Sequence, residues 1–188
     1  LGVEREDVGD LGHLPQQLQE LDAPQLDVGG IELGQRGIGE LALDLASQIL
    51  GSGRSSRFFR HVVGPDAAAT AAMFHYQFDD VGLLIAQASF DEARRAEVDR
   101  RLLAEIERLK AHGPTAYELA LAKNALRAQV VFALEDAVGQ AQALAEAEAR
   151  EGYRSLGDRL AKLDRVTADQ VRAAAQRFLS PDRLTLYH

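Results

Sequence analysis

The sequence predicts an α+β fold: a two-layer sandwich in which an antiparallel sheet carries helices packed on one face. Three observations predict it. Residues 74–90 alternate with period two on either side of a turn, residues 91–179 carry helical spacing almost throughout, and Leu184–Tyr187 alternates again. Strands paired through a turn, a block of helices and one returning strand give a layered α+β domain.

The bulk properties bound what such a domain can do. With 188 residues, 46% hydrophobic and 27% charged, the chain suits one globular domain with a proper core. A formal charge of −8 argues against the clustered basic surface that nucleic acid requires, so no nucleic-acid partner is expected. There is no cysteine, which excludes disulfides and thiolate zinc sites. No apolar run approaches the ~20 residues of a membrane helix, so no membrane span is expected. The compartment stays open, because absence of cysteine fits either side of a membrane.

Residues 1–36 are set apart as an atypical N-terminal segment, flexible or not native to the fold. Prolines at 15 and 24 and the pair Gly29-Gly30 interrupt it, and only Gln16–Leu21 suggests a short helix. Residues 37–188 form the expected domain. The chain begins without a methionine and ends straight after a strand-like run, so a piece of a longer protein is expected.

Within the domain, Leu41, Leu45 and Ile49, with Ala42 and Ala46, give a helix that stops at Gly51. The loop Leu50-Gly51-Ser52-Gly53-Arg54-Ser55-Ser56-Arg57 follows. Gly51 and Gly53 permit positive φ or a close backbone approach, and Ser55 and Ser56 suit the cap of the next short turn, which ends at Gly64-Pro65. Phe74, Tyr76 and Phe78 alternate with His75 and Gln77, predicting a strand with one apolar face; Asp79–Gly82 is a turn and Leu83–Phe90 the returning strand. Asp91–His112 is a helix with Val98, Leu102, Ile106 and Leu109 as its stripe and Gly113 as its stop. Thr115 with Glu118 forms a capping box opening one long helix, Ala116 to about Arg150, which Gly139 could bend. Its expected buried side runs from Leu119 through Ala133, Ala137 and Ala141 to Leu144. Ser155–Leu163 is shorter. Thr167 and Gln170 open the last helix, Ala168–Leu179, and Ser180-Pro181 ends it.

The wording of three segments adds to this. Leu50–Arg57 resembles the signature opening the C-terminal half-domain of the M16 zinc metallopeptidases, the family of pitrilysin, insulysin and the mitochondrial processing peptidase. Gly113–Lys123 resembles that family's G-x-T-x-x-E-L-x-x-A-K helix start, and Leu163–Val171 with Ala175, Phe178 and Leu179 resembles its closing segment. The matches occur in order from near Gly37 to the end of the chain. The resemblance implies the same α+β sandwich, an antiparallel sheet with helices on one face.

It also implies a division of labour. M16 catalysis uses a His-x-x-Glu-His helix, whose histidines bind zinc while the glutamate acts as general base. Here the histidines are His13, His61, His75, His112 and His188, none of which begins that motif. The family's second element, an Arg-x-x-x-Tyr pair that holds substrate near the metal, has Asp66 and Thr70 at its place after Ser55-Ser56-Arg57. The chain is therefore expected to carry no catalytic residue, no cofactor and no metal, and not to be active alone.

What the resemblance implies instead is a supporting half-domain of a zinc metalloendopeptidase, completing the chamber around an unfolded peptide substrate. Its partner would be a catalytic M16 half-domain or subunit, which would hold the zinc. The alternative is a purely structural relative of the core-subunit type, without proteolytic role. Gly51, Gly53, Ser55 and Arg57 are the candidates for contact with the facing half, Arg57 having a surface salt bridge as its plainer reading. Ser55, Ser56 and His61 as a nucleophile and base lack an orienting acid and an oxyanion hole. The glycine-rich loop lacks the Gly-Lys-Ser/Thr ending of a phosphate cradle and follows a helix instead of a strand.

Overall fold

The computed structural model describes residues 36–77, 82–150 and 152–185. The readings made for residues 1–35 and for Phe78–Val81 lie outside them. Helix α1 (Arg36–Gly51) is followed by a π-turn (Phe59–Val63), the hairpin β1 (Thr70–Gln77) and β2 (Gly82–Ser89), then α2 (Arg95–His112), α3 (Ala116–Ala133), α4 (Ala137–Arg150), α5 (Ser155–Arg165) and α6 (Ala168–Phe178). The architecture is α+β, as expected, though mostly helical, with a two-stranded antiparallel sheet among the described residues.

Helix α1 is the axis of the packing. It touches β1, α2, α3, α5 and α6. Its predicted stripe, Leu41, Leu45 and Ile49, is buried, and so are Ala42, Leu43, Ala46 and Leu50. A helix apolar on nearly all sides is one that neighbours surround. Ser47 is buried there as well, its hydroxyl donating to the Leu43 carbonyl at 3.0 Å.

The end of α1 meets the sheet at backbone distance. A Cβ on Gly51 would lie 2.0 Å from the Met73 amide nitrogen, so only glycine allows β1 to cross here. Gly53, not Gly51, takes the positive φ, at 74°. The chain then re-enters a wide turn in which the Gly64 amide donates to the Phe59 carbonyl at 2.7 Å, burying Phe58 and Val62 completely.

Strands β1 and β2 pair from Thr70↔Ser89 to Gln77↔Gly82. The alternation is present, but the aromatic face is not the one that packs on the core. Met73 is buried and Ala71 packs against the core, whereas Phe74 and Tyr76 are 40% and 45% exposed. The close crossing over Gly51 leaves room for small or slender residues on the inward face, and the rings point away. Inward-facing His75 is tolerated because Nδ1 lies 2.8 Å from Asp44 Oδ1, while Asp44 Oδ2 accepts from Arg159 Nη2 at 3.2 Å. That chain of bonds ties β1, α1 and α5 together.

The helical block departs from expectation at one joint. Asp91 caps a short 3-10 turn (Glu92–Arg94) before α2, and Gly113 ends α2 with φ 70°. Both capping boxes, Thr115/Glu118 and Thr167/Gln170, form as predicted. The single long helix does not: it breaks between Ala133 and Ala137, where a Cβ on Gly139 would sit 2.0 Å from the Ala133 carbonyl oxygen. A continuous helix would have carried its apolar row into α4, yet Ala133, Ala137, Ala141 and Leu144 are exposed. The elbow turns α4 away from the core. Leu184 and Thr185 carry no strand pairing, Pro181–Arg183 forming a 3-10 turn before them, and the rest of that run lies outside the described residues.

Candidate functional site

The loop after α1 and the start of α3 form one site, held by Arg57. Its side chain is almost wholly buried. Nε donates to Glu118 Oε1 at 2.9 Å, and Nη2 donates to Glu118 Oε2 at 2.8 Å and to the Gly113 carbonyl at 3.0 Å. Arg60, one turn on, adds Nη2 to Glu118 Oε1 at 2.9 Å. Glu118 meanwhile completes the capping box, Oε2 accepting from the Thr115 amide at 2.9 Å. The Arg57–Glu118 pair thus joins the loop, the stop of α2 and the start of α3.

Its acidity follows from this company. Burial by itself pushes the Glu118 carboxyl up, but the hydrogen bonds from Arg57 and Thr115 and the Arg57 charge outweigh it and hold the group down at about 2. Glu118 stays ionised at every ordinary pH, as an anchor and not a proton carrier.

Around this anchor the residues singled out from sequence take different places. Gly51 is buried under β1; Gly53 and Ser55 are exposed on the loop. Ser56 is buried and its Oγ accepts from the Phe59 amide at 3.3 Å, the capping role expected of it. Arg57 points inward and spends its donors inside this chain. His61 lies in the π-turn with Nδ1 2.9 Å from buried Glu105 Oε1, and His75 belongs to Asp44, so the two imidazoles serve different packing contacts. Among the described residues, no group of three or more His, Asp or Glu side chains could hold a metal ion. Asp66, at the family position of the clamping arginine, takes φ 56° and gives its carbonyl to Arg94. The Arg-x-x-x-Tyr spacing does recur, at Arg183 and Tyr187, away from that position and with Tyr187 outside the described residues.

The sequence places Glu118 in its capping box but does not pair it with Arg57. The available signal was two arginines one turn apart, Arg57 and Arg60, with no nearby acid. The structure also opens a groove of about 360 Å³ between the loop and α3, lined by Ile49, Ser52, Ser55, Arg60, Tyr117 and Leu121 among others.

The chain matches the family described as the peptidase M16 inactive domain over residues 17–126, a match that starts within the segment set apart above. It is 32% identical over 141 residues to a protein of Mycobacterium bovis named an uncharacterized zinc protease, covering 74% of this chain and 32% of that one. A Mycobacterium leprae protein of the same name is 30% identical over the same share. The chain spans about a third of the length of these curated relatives.

Among solved structures, the inactive peptidase domain of a Bordetella parapertussis protein superposes with a TM-score of 0.70 at 24% identity, covering 78% of this chain and 80% of that one. A protease from Helicobacter pylori gives 0.70 at 21% identity, over 77% of this chain and 36% of that one. Those likenesses establish the fold, and the family match establishes the kinship: the chain belongs to the peptidase M16 inactive-domain family, the non-catalytic C-terminal domain of M16 peptidases.

Proposed function

We propose that this chain is the supporting half of an M16 zinc peptidase, closing a peptide-enclosing chamber with a catalytic half that bears the His-x-x-Glu-His motif. The observation that carries the reading is the family match to an inactive domain, together with a sequence that contains no His-x-x-Glu-His. Zinc and the general base would belong to the companion, and the present residues would supply a rigid wall. The curated relatives, about three times as long, have room for such a companion in the same chain. Enclosure selects unfolded peptide, because a folded protein cannot enter a closed space. Gly53 and Ser55, exposed on the loop, are the signature residues available for contact with the companion, while Arg57 would act indirectly by holding that loop in shape.

The test is reconstitution. The purified chain is expected to cleave no unfolded casein alone and to support cleavage when mixed with a His-x-x-Glu-His half from the same genome. Stoichiometric zinc in the chain alone, by elemental analysis, contradicts the reading. Stable pairing without cleavage supports the purely structural alternative.

A further inference from the structure

The outward face of the hairpin is apolar and uncharged. None of the sixteen residues of β1 and β2 is Asp, Glu, Lys or Arg, in a chain that is 27% charged. The register sets Phe74 opposite Ile85 and Tyr76 opposite Leu83, so four large apolar side chains share one face. The two aromatic rings lie 6.2 Å apart, and Leu83 and Ile85 are 47% and 37% exposed. A solvated strand is ordinarily guarded by charge, whereas aromatic residues without charge are the composition of an interface core. The other apolar exposures differ. Glu135 and Asp136 stand between Phe132 and Val138 at the elbow, and the groove beside α3 holds the Arg60–Glu118 pair.

We propose that the companion half docks on this face, seating an apolar surface of its own on Phe74, Tyr76, Leu83 and Ile85. The inference rests on the pairing proposed above and adds the place of contact. Area favours this occupant over a second copy of the chain. The four side chains, each a little under half exposed, offer roughly 300 Å², well short of the ~800 Å² per partner that a stable free dimer buries. Tethering removes the shortfall, because a companion in the same polypeptide acts at about millimolar effective concentration. The curated relatives, of whose length this chain spans about a third, have the remainder from which such a companion would come. The family match, too, spans the whole hairpin and ends at residue 126, before the elbow, so a contact common to the family falls on the hairpin side.

The experiment pairs the full chain with a separately produced His-x-x-Glu-His half from the same genome and measures affinity by titration calorimetry. The double variant Tyr76→Ser/Leu83→Ser is expected to weaken pairing about tenfold, as loss of central apolar contacts predicts, and Val138→Ser on α4 to leave it unchanged. Thermal melts confirm the fold of each variant. The chain alone is expected to enhance the fluorescence of the apolar dye anilinonaphthalene sulfonate, and the double variant to do so less. Equal dye signals show a face already covered within the chain and overturn the proposal. Pairing of equal strength in parent and double variant overturns it while leaving the supporting-half reading intact, whereas a parent that does not pair overturns both. Self-association of the parent that the double variant abolishes also overturns it, by giving the face to a second copy.

Discussion

Arg57 and Glu118 stand 61 residues apart in sequence and meet through two parallel hydrogen bonds of 2.9 and 2.8 Å. The pair makes the glycine-rich loop and the first turn of α3 one mechanical unit, because the same carboxylate caps that helix. A signature arginine that looks available for a partner is therefore spent at home.

Removing Arg57 should be costly to the isolated chain. Arg57→Ala strands a mostly buried carboxylate and frees the Gly113 carbonyl, so a loss of about 2–4 kcal/mol is expected in urea denaturation. Arg57→Lys keeps the charge but not the fork, and should recover less than half of that. A variant as stable as the parent would return Arg57 to the role of an external contact.

The pH dependence has a definite sign. The folded Glu118 lies at about 2 against an ordinary value of 4.5, so its stabilisation is fully present above 4.5 and is lost as pH falls toward 2. The stability gap between the parent and Glu118→Gln should be roughly 2 kcal/mol near pH 6, a figure reduced for the wet side of the groove, and should shrink steadily below pH 4.5. A gap that stays constant from pH 6 to 3 would show that the carboxylate charge contributes nothing.

Two glycines should respond oppositely to alanine. At Gly51 the new Cβ would strike the β1 backbone, with no flexible side chain to yield, and a loss of about 3 kcal/mol or more is expected. At Gly157, in α5, nothing lies within 4 Å, and alanine should gain roughly 0.5–1 kcal/mol from helix propensity. Thermal melts of both variants check the pair.

The hairpin faces can be told apart in the same way. Met73→Ala should cost about 2–3 kcal/mol, as for other buried methionines, and Phe74→Ser less than about 1 kcal/mol. If the aromatic variant proves the costlier one, the inward face has been misassigned.

Local signals carried most of the element boundaries. Thr115 with Glu118, Thr167 with Gln170, and Gly113 each act within three or four residues, and all appear in the structure where their spacing put them. The helix break at Leu134–Asp136 was less legible: Asp136 caps α4, its Oδ1 accepting from the Gly139 amide at 2.8 Å, but one aspartate within a continuing apolar pattern is weak punctuation. The groove was not legible at all, because its walls come from residues some sixty positions apart.

By itself, then, the sequence determined the family, the α+β class and the caps, which depend on short-range chemistry and on the order of motifs. Only the tertiary structure decided which face of β1 is buried and what Arg57 holds. Period two says that a strand has two faces, not which one a helix will cover; the glycine contact between α1 and Met73 settles that by steric exclusion. A charge, likewise, has no partner until packing brings one within 3 Å, as the α2–α3 turn does for Glu118 and Arg57.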